Sequence, residues 1–208
     1  MVEATPELLP SRAATQASCV LQMLRAATAA QHKALEARLP LTHPDLDRNA
    51  YQRIIQAYYG FHAPLQRQIE RFHAPQLAQP ERQKVPALVK DLRALGLSDA
   101  QIDALPMCAD LPPINGEADL LGVMYVMEGA TLGGQVLRRI IADRLAIDAD
   151  SGGEFLDVYG RDTGRLWKAF LNRLADFDHP HDNPQVVESA CATFALFARW
   201  LECNGVLR

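Results

Sequence analysis

His32, Glu36 and Arg25 are the first residues whose types and spacing suggest chemistry. On a helix turning ~100° per residue, Glu36 lies one turn beyond His32 and Arg25 about two turns before it, all on nearly the same face. A neutral imidazole can ligate a metal, a carboxylate one turn away can hold its second ring nitrogen, and a cation further along can meet an acidic group on the same ligand. His32 also falls in the middle of an apolar stripe formed by Leu21, Leu24, Thr28, Leu35 and Leu39. Taken alone, a histidine at such a position is more often a hydrogen-bonded core residue than a ligand.

The second stretch is Leu121 to Leu137, a long apolar run that carries Gly129, Gly133 and Gly134. Each glycine inside a helix costs roughly 0.5–1 kcal/mol against alanine. Gly129 and Gly133 are four apart and share one face, so they expose bare backbone, either as a floor for a flat ligand or for a tight helix crossing. A lone histidine in apolar surroundings, with no second protein ligand close in sequence, suits haem iron whose other axial position stays open. The glycines would then form the opposite wall, and Arg25 and Tyr125 could meet the haem carboxylates.

The elements that must position these residues are helical throughout. Ser18 reads as an N-cap for a first helix ending before Pro40, and a second runs from about Arg48 to Phe72 with Pro64 predicting a kink. A third covers roughly Pro80 to Leu95 and stops at Gly96. Ser98 to Gln101 matches a capping box for a short helix through Leu105. Pro106 to Gly116 is a loop, and the glycine-bearing helix ends near Leu145. Arg165 to Phe177 is helical, and Asn183-Pro184 reads as N-cap and first helical residue of a last helix to about Cys203. No alternating strand pattern, repeat or linker is visible, so the fold expected is a single all-α bundle of seven or eight helices over residues 18–208. Residues 1–17 read as an unpacked, flexible arm.

The net charge is −4 over 208 residues, and hydrophobic residues make up 49%, enough for one sizeable core and without a basic footprint for nucleic acid or an anionic membrane. Cys19, Cys108, Cys191 and Cys203 are scattered with no metal spacing, which predicts free thiols in a reducing compartment. No signal peptide or uncharged membrane span is legible, so a soluble cytoplasmic protein is expected. His62 on its own reads as a core histidine. His179 and His181, with Asp178 and Asp182 around Pro180, read as a solvated turn rather than a metal site, and His43 and His73 take no role.

His32 within Leu-Arg-Ala-Ala-Thr-Ala-Ala-Gln-His-Lys-Ala-Leu-Glu, together with Tyr-Val-Met-Glu-Gly-Ala-Thr-Leu-Gly-Gly-Gln-Val-Leu from Tyr125, resembles the proximal and distal helices of the haem oxygenases. The likeness is closer to their bacterial branch, including members that supply biliverdin to bacterial phytochromes. It implies a haem-oxygenase-like bundle holding haem between a proximal and a kinked distal helix. It implies oxygen-dependent opening of haem to biliverdin with release of iron and carbon monoxide, haem being both prosthetic group and substrate. By that resemblance His32 is the proximal iron ligand and Glu36 its hydrogen-bonding partner. Arg25 and Tyr125 match propionate contacts, and Gly129, Thr131 and Gly133 belong to the catalytic distal stretch. His62 and Lys84 match a distal polar network, and Trp167 and Phe194 have counterparts near the pocket. Ala130 replaces an aspartate of the mammalian pattern, as in bacterial members. Electrons would come from a separate donor of ferredoxin or flavodoxin type, because no dinucleotide-binding fingerprint is present. A non-catalytic haem carrier or sensor on the same fold is the alternative.

Overall fold

Among the described residues, seven α-helices and several short helical turns form the fold, with no strand. The structure, a computed structural model, describes residues 18–72 and 80–208. The N-terminal arm and His73 lie outside them. Helix α1 spans Cys19–Arg38, α2 Arg48–Arg71, α3 Val85–Ala94, α4 Asp99–Asp103, α5 Glu117–Leu145, α6 Thr163–Phe177 and α7 Asn183–Cys203. The core joins Leu24, Tyr51, Ile55 and Phe61 to Leu88, Leu121, Val123, Phe170, Val186 and Leu201.

Local chemistry explains most boundaries. Asp47 caps α2 by accepting the Ala50 amide at 2.6 Å, and Ser98 and Gln101 form the expected capping box. Gly96 follows α3 with φ +103°, the left-handed conformation that stops a helix. Two boundaries differ from the sequence expectation. Helix α3 begins at Val85 instead of Pro80, since Pro86 lacks an amide hydrogen and so marks a first turn. The amides of Lys84 and Val85 are satisfied from outside by the Gln66 side chain of α2, at 3.0 and 3.1 Å. Residues Pro80–Arg82 form a separate turn, and this frees Arg82 and Lys84 to reach inward.

The cap of the last helix is Asp182, one residue earlier than expected. Asn183 turns its side chain backwards, donating to Asp178 at 2.6 Å and accepting from the His179 amide at 3.1 Å, so its oxygen is not free to cap.

Helix α7 is the hub. It packs along α5, along α1 and against α2. It crosses α5 closely at Gly122, where any Cβ would collide with the Val186 carbonyl and the Ala190 amide. Ser189 and Gln185 then bind the start of α5 through the Asp119 carbonyl at 2.7 Å and carboxylate at 2.6 Å. Helix α6 also packs against both α1 and α5, whereas α1 and α5 touch each other marginally at most. The two helices that carry the candidate chemistry are therefore held apart by the two that pack on both.

Candidate functional site

Helix α1 brings the histidine to the edge of its buried stripe. Leu21, Leu24 and Thr28 are buried, but the stripe ends there, and the His32 side chain is 56% exposed. This corrects the expectation of an imidazole inside the core. Its Nδ1 lies 3.3 Å from the Glu36 carboxylate, as the one-turn spacing requires, and its ring meets Phe194 of α7 edge-on at 6.0 Å. The ring is thus oriented by a carboxylate on one nitrogen and an aromatic edge, with much of its surface open. Arg25 is exposed on the same side of α1.

Helix α5 shows which glycines pack and which do not. A Cβ on Gly134 would run into the Leu156 carbonyl oxygen, so this glycine serves a close crossing with the Phe155–Asp157 turn. A Cβ on Gly133 would meet nothing within 4 Å, and one on Gly129 would meet only the Trp167 ring at 3.8 Å. The close-crossing reading therefore holds for Gly134, whereas Gly129 and Gly133 present backbone that close packing does not require. At ~100° per residue, Gly129, Leu132, Gly133 and Val136 share one face. Leu132 and Val136 are 44% and 60% exposed there, a rare display for large apolar side chains in this chain. Tyr125 is half-buried one turn earlier, with its ring 6.1 Å from Trp167. Thr131 faces away and donates its hydroxyl to the Glu128 carbonyl at 2.7 Å.

Behind that face the helix is buried and polar. Glu128 is 1% exposed, and its carboxylate accepts from Arg82, from Lys84 Nζ at 2.7 Å and from the Tyr159 hydroxyl at 2.9 Å. Burial pushes the Lys84 pKa down, opposed by the Glu128 charge, and burial together with that charge pushes Tyr159 up. His62 is buried among Tyr58, Phe61, Phe155 and Phe197. Loss of water pushes its pKa down to about 3, with the Lys84 ammonium adding to the effect, so it is neutral. A cavity of about 40 Å³ lies between His62, Gln66, Arg82, Lys84, Met124 and Met127, with room for water. The structure therefore brings His62 and Lys84 together as the sequence suggested, but on the side of α5 opposite Gly133.

Sequence reasoning missed Arg82, Glu128 and Tyr159. The available signal was Glu128 itself, a carboxylate inside an apolar run, which cannot be buried without cations. Among the described residues no group of three or more His, Cys, Asp or Glu could hold a bare metal ion. A metal bound here would have to bring its other ligands with it, as a porphyrin does. The residues fit that group on two counts: an exposed imidazole whose far nitrogen is held by a carboxylate, and a helix face whose glycines have space above them.

The comparisons with known proteins agree. The family model described as heme oxygenase matches residues 18–203. No curated protein sequence matches the chain. Among solved structures, haem oxygenase from Leptospira interrogans superposes with a TM-score of 0.69 at 19% identity, covering 87% of this chain and 97% of its own. Haem oxygenase-1 from Synechocystis sp. PCC 6803, solved with haem, gives 0.69 at 17% identity, over 89% of this chain and 93% of its own. The Neisseria meningitidis haem oxygenase gives 0.70 at 20% identity, over 89% and 92%. Nothing in these findings favours the carrier or sensor reading. The family model covers nearly all of the helical domain, on a chain with an open glycine face on α5 and an exposed histidine on α1, and this leads to one conclusion: the chain belongs to the haem oxygenase family.

Proposed function

We propose that haem lies between α1 and α5, with His32 ligating iron from one side and the Gly129–Gly133 backbone covering the other. The activity of the family is the opening of haem to biliverdin with release of iron and carbon monoxide. Bound haem supplies both the redox-active iron and the porphyrin ring that is cut. Glu36 takes the Nδ1 hydrogen of His32, which leaves the Nε2 lone pair for iron and fixes the ring against rotation. Arg25 and Tyr125 meet the porphyrin carboxylates and set its rotation in the cleft. With glycine at 129 and 133, this face would set no acidic or basic side chain against a bound ring. Leu132 and Val136 exclude water from the flank of the same face.

The co-substrate is molecular oxygen, and electrons come from an external reductant, a separate protein of ferredoxin or flavodoxin type. Biliverdin release to a bacterial phytochrome fits the branch that the sequence resembles. A cytoplasmic setting fits the four cysteines, all of which are free thiols.

The observation that supports this reading most is the contrast between neighbours on α5. Gly134 has no room for a side chain, and Gly133 has open space that packing does not require. Haemin added to the protein, followed by ascorbate in air, should lose its Soret band as biliverdin appears. In Gly133→Phe haemin should still bind and turnover should fall by ~100-fold or more, the scale of a ~3 kcal/mol penalty. Normal turnover in Gly133→Phe would show that the distal floor lies elsewhere.

A further inference from the structure

The open face of α5 has almost nothing of its own to hold it in place. A Cβ on Gly133 would meet nothing within 4 Å, and one on Gly129 would meet only the Trp167 ring. Its distance from any ligand in the cleft must be set from behind. There, about 100° to 140° around the helix from Gly129 and Gly133, Glu128 is bound by three donors from two separate segments of the chain. Arg82 and Lys84 come from the segment before α3, and Tyr159 from the turn before α6. Arg82 also donates to the Leu166 carbonyl of α6 at 3.1 Å, and Tyr159 accepts from Lys84 at 2.7 Å.

We infer that Glu128 is a positioning residue: with Arg82, Lys84 and Tyr159 it fixes the depth and pitch of the Gly129–Gly133 backbone over the ring, and so the selectivity of ring opening. This rests on the reading of the cleft given above. The geometry fits a rigid strut better than simple stabilisation. Two cations on one buried carboxylate leave one positive charge in excess, and a single pair would satisfy Glu128 at a smaller desolvation cost. Three donors at different angles, in contrast, fix a carboxylate in every direction. The charge also sits next to Gly129 in sequence, so a shift in the carboxylate is passed directly to the floor.

Glu128→Ala would leave two buried cations without a counter-charge and so endanger the fold itself, and the test therefore uses milder changes. Lys84→Met leaves a balanced Arg82–Glu128 pair, Tyr159→Phe removes one hydroxyl, and Lys84→Arg restores the second cation. Hydrogen exchange of the ligand-free protein should rise about tenfold at amides 129–135 in Lys84→Met and Tyr159→Phe, the scale of one lost hydrogen bond, with α1 and α2 unchanged. With haem bound, the same variants should give a broader mixture of biliverdin isomers at unchanged haemin affinity, and Lys84→Arg should recover both properties. A rise in exchange spread evenly over all helices, or an isomer mixture unchanged while amides 129–135 loosen, overturns the positioning role. If the unaltered protein opened no haem, the reading of the cleft would fall, and exchange confined to amides 129–135 would still decide whether the cluster anchors that stretch.

Discussion

His62 shows how much one residue type reveals and how much it conceals. A histidine at helical register with Tyr58, Phe61 and Leu65 could be read as buried, and it is. Its electrostatic neighbour Lys84 arrives from a different segment, which no local pattern announces. Burial drives the His62 pKa from 6.5 down to about 3, so the folded state holds it neutral while the unfolded chain protonates it below 6.5. Its contribution to stability is therefore complete above pH 6.5 and is lost as the pH falls from there towards 3. Urea denaturation midpoints should fall steeply across that range, and His62→Leu should flatten the slope. An equal slope in His62→Leu would show that other groups govern acid sensitivity. Glu128 is the opposite case: its type was out of place in an apolar run, but its three partners, from Arg82 to Tyr159, are brought together only by the tertiary fold.

Helix α5 carries the sharpest contrast between adjacent residues. Sequence spacing showed that the glycines expose backbone and which two share a face, but it could not say which glycine meets protein and which meets space. That depends on the Phe155–Asp157 turn, too short to assign from its pattern and held in place by the Asp91 carboxylate, which accepts the Glu154 and Phe155 amides at 2.8 Å each. Gly133→Ala should raise stability by about 0.5–1 kcal/mol, because the backbone is helical and the added methyl meets nothing. Gly134→Ala should cost at least about 2 kcal/mol, because the methyl must displace the Leu156 carbonyl. Thermal unfolding of the two variants checks both signs, and a reversed order would contradict the assignment of faces. The start of α3 was misplaced for a related reason. Its cap is supplied by Gln66 from α2, a contact that lies far from α3 in sequence.

At the scale of the molecule, an all-α bundle and its helix order were legible because apolar stripes, caps and prolines act locally. The cleft was not, because it is a consequence of what fails to pack. Helices α6 and α7 each bind α1 and α5, and they separate those two helices while α7 crosses α5 closely at Gly122. The same architecture explains why α5 is long and apolar enough to cross a membrane, with mean hydropathy 1.3, yet has half of that stretch buried against its neighbours. The measurement that most directly tests the central claim is resonance Raman spectroscopy of the ferrous haem complex of His32→Ala beside the unaltered protein. The iron–imidazole stretch should be present in the unaltered protein, absent in His32→Ala and restored when free imidazole is added. An unchanged iron–imidazole band in His32→Ala would place the iron on another residue and contradict the account.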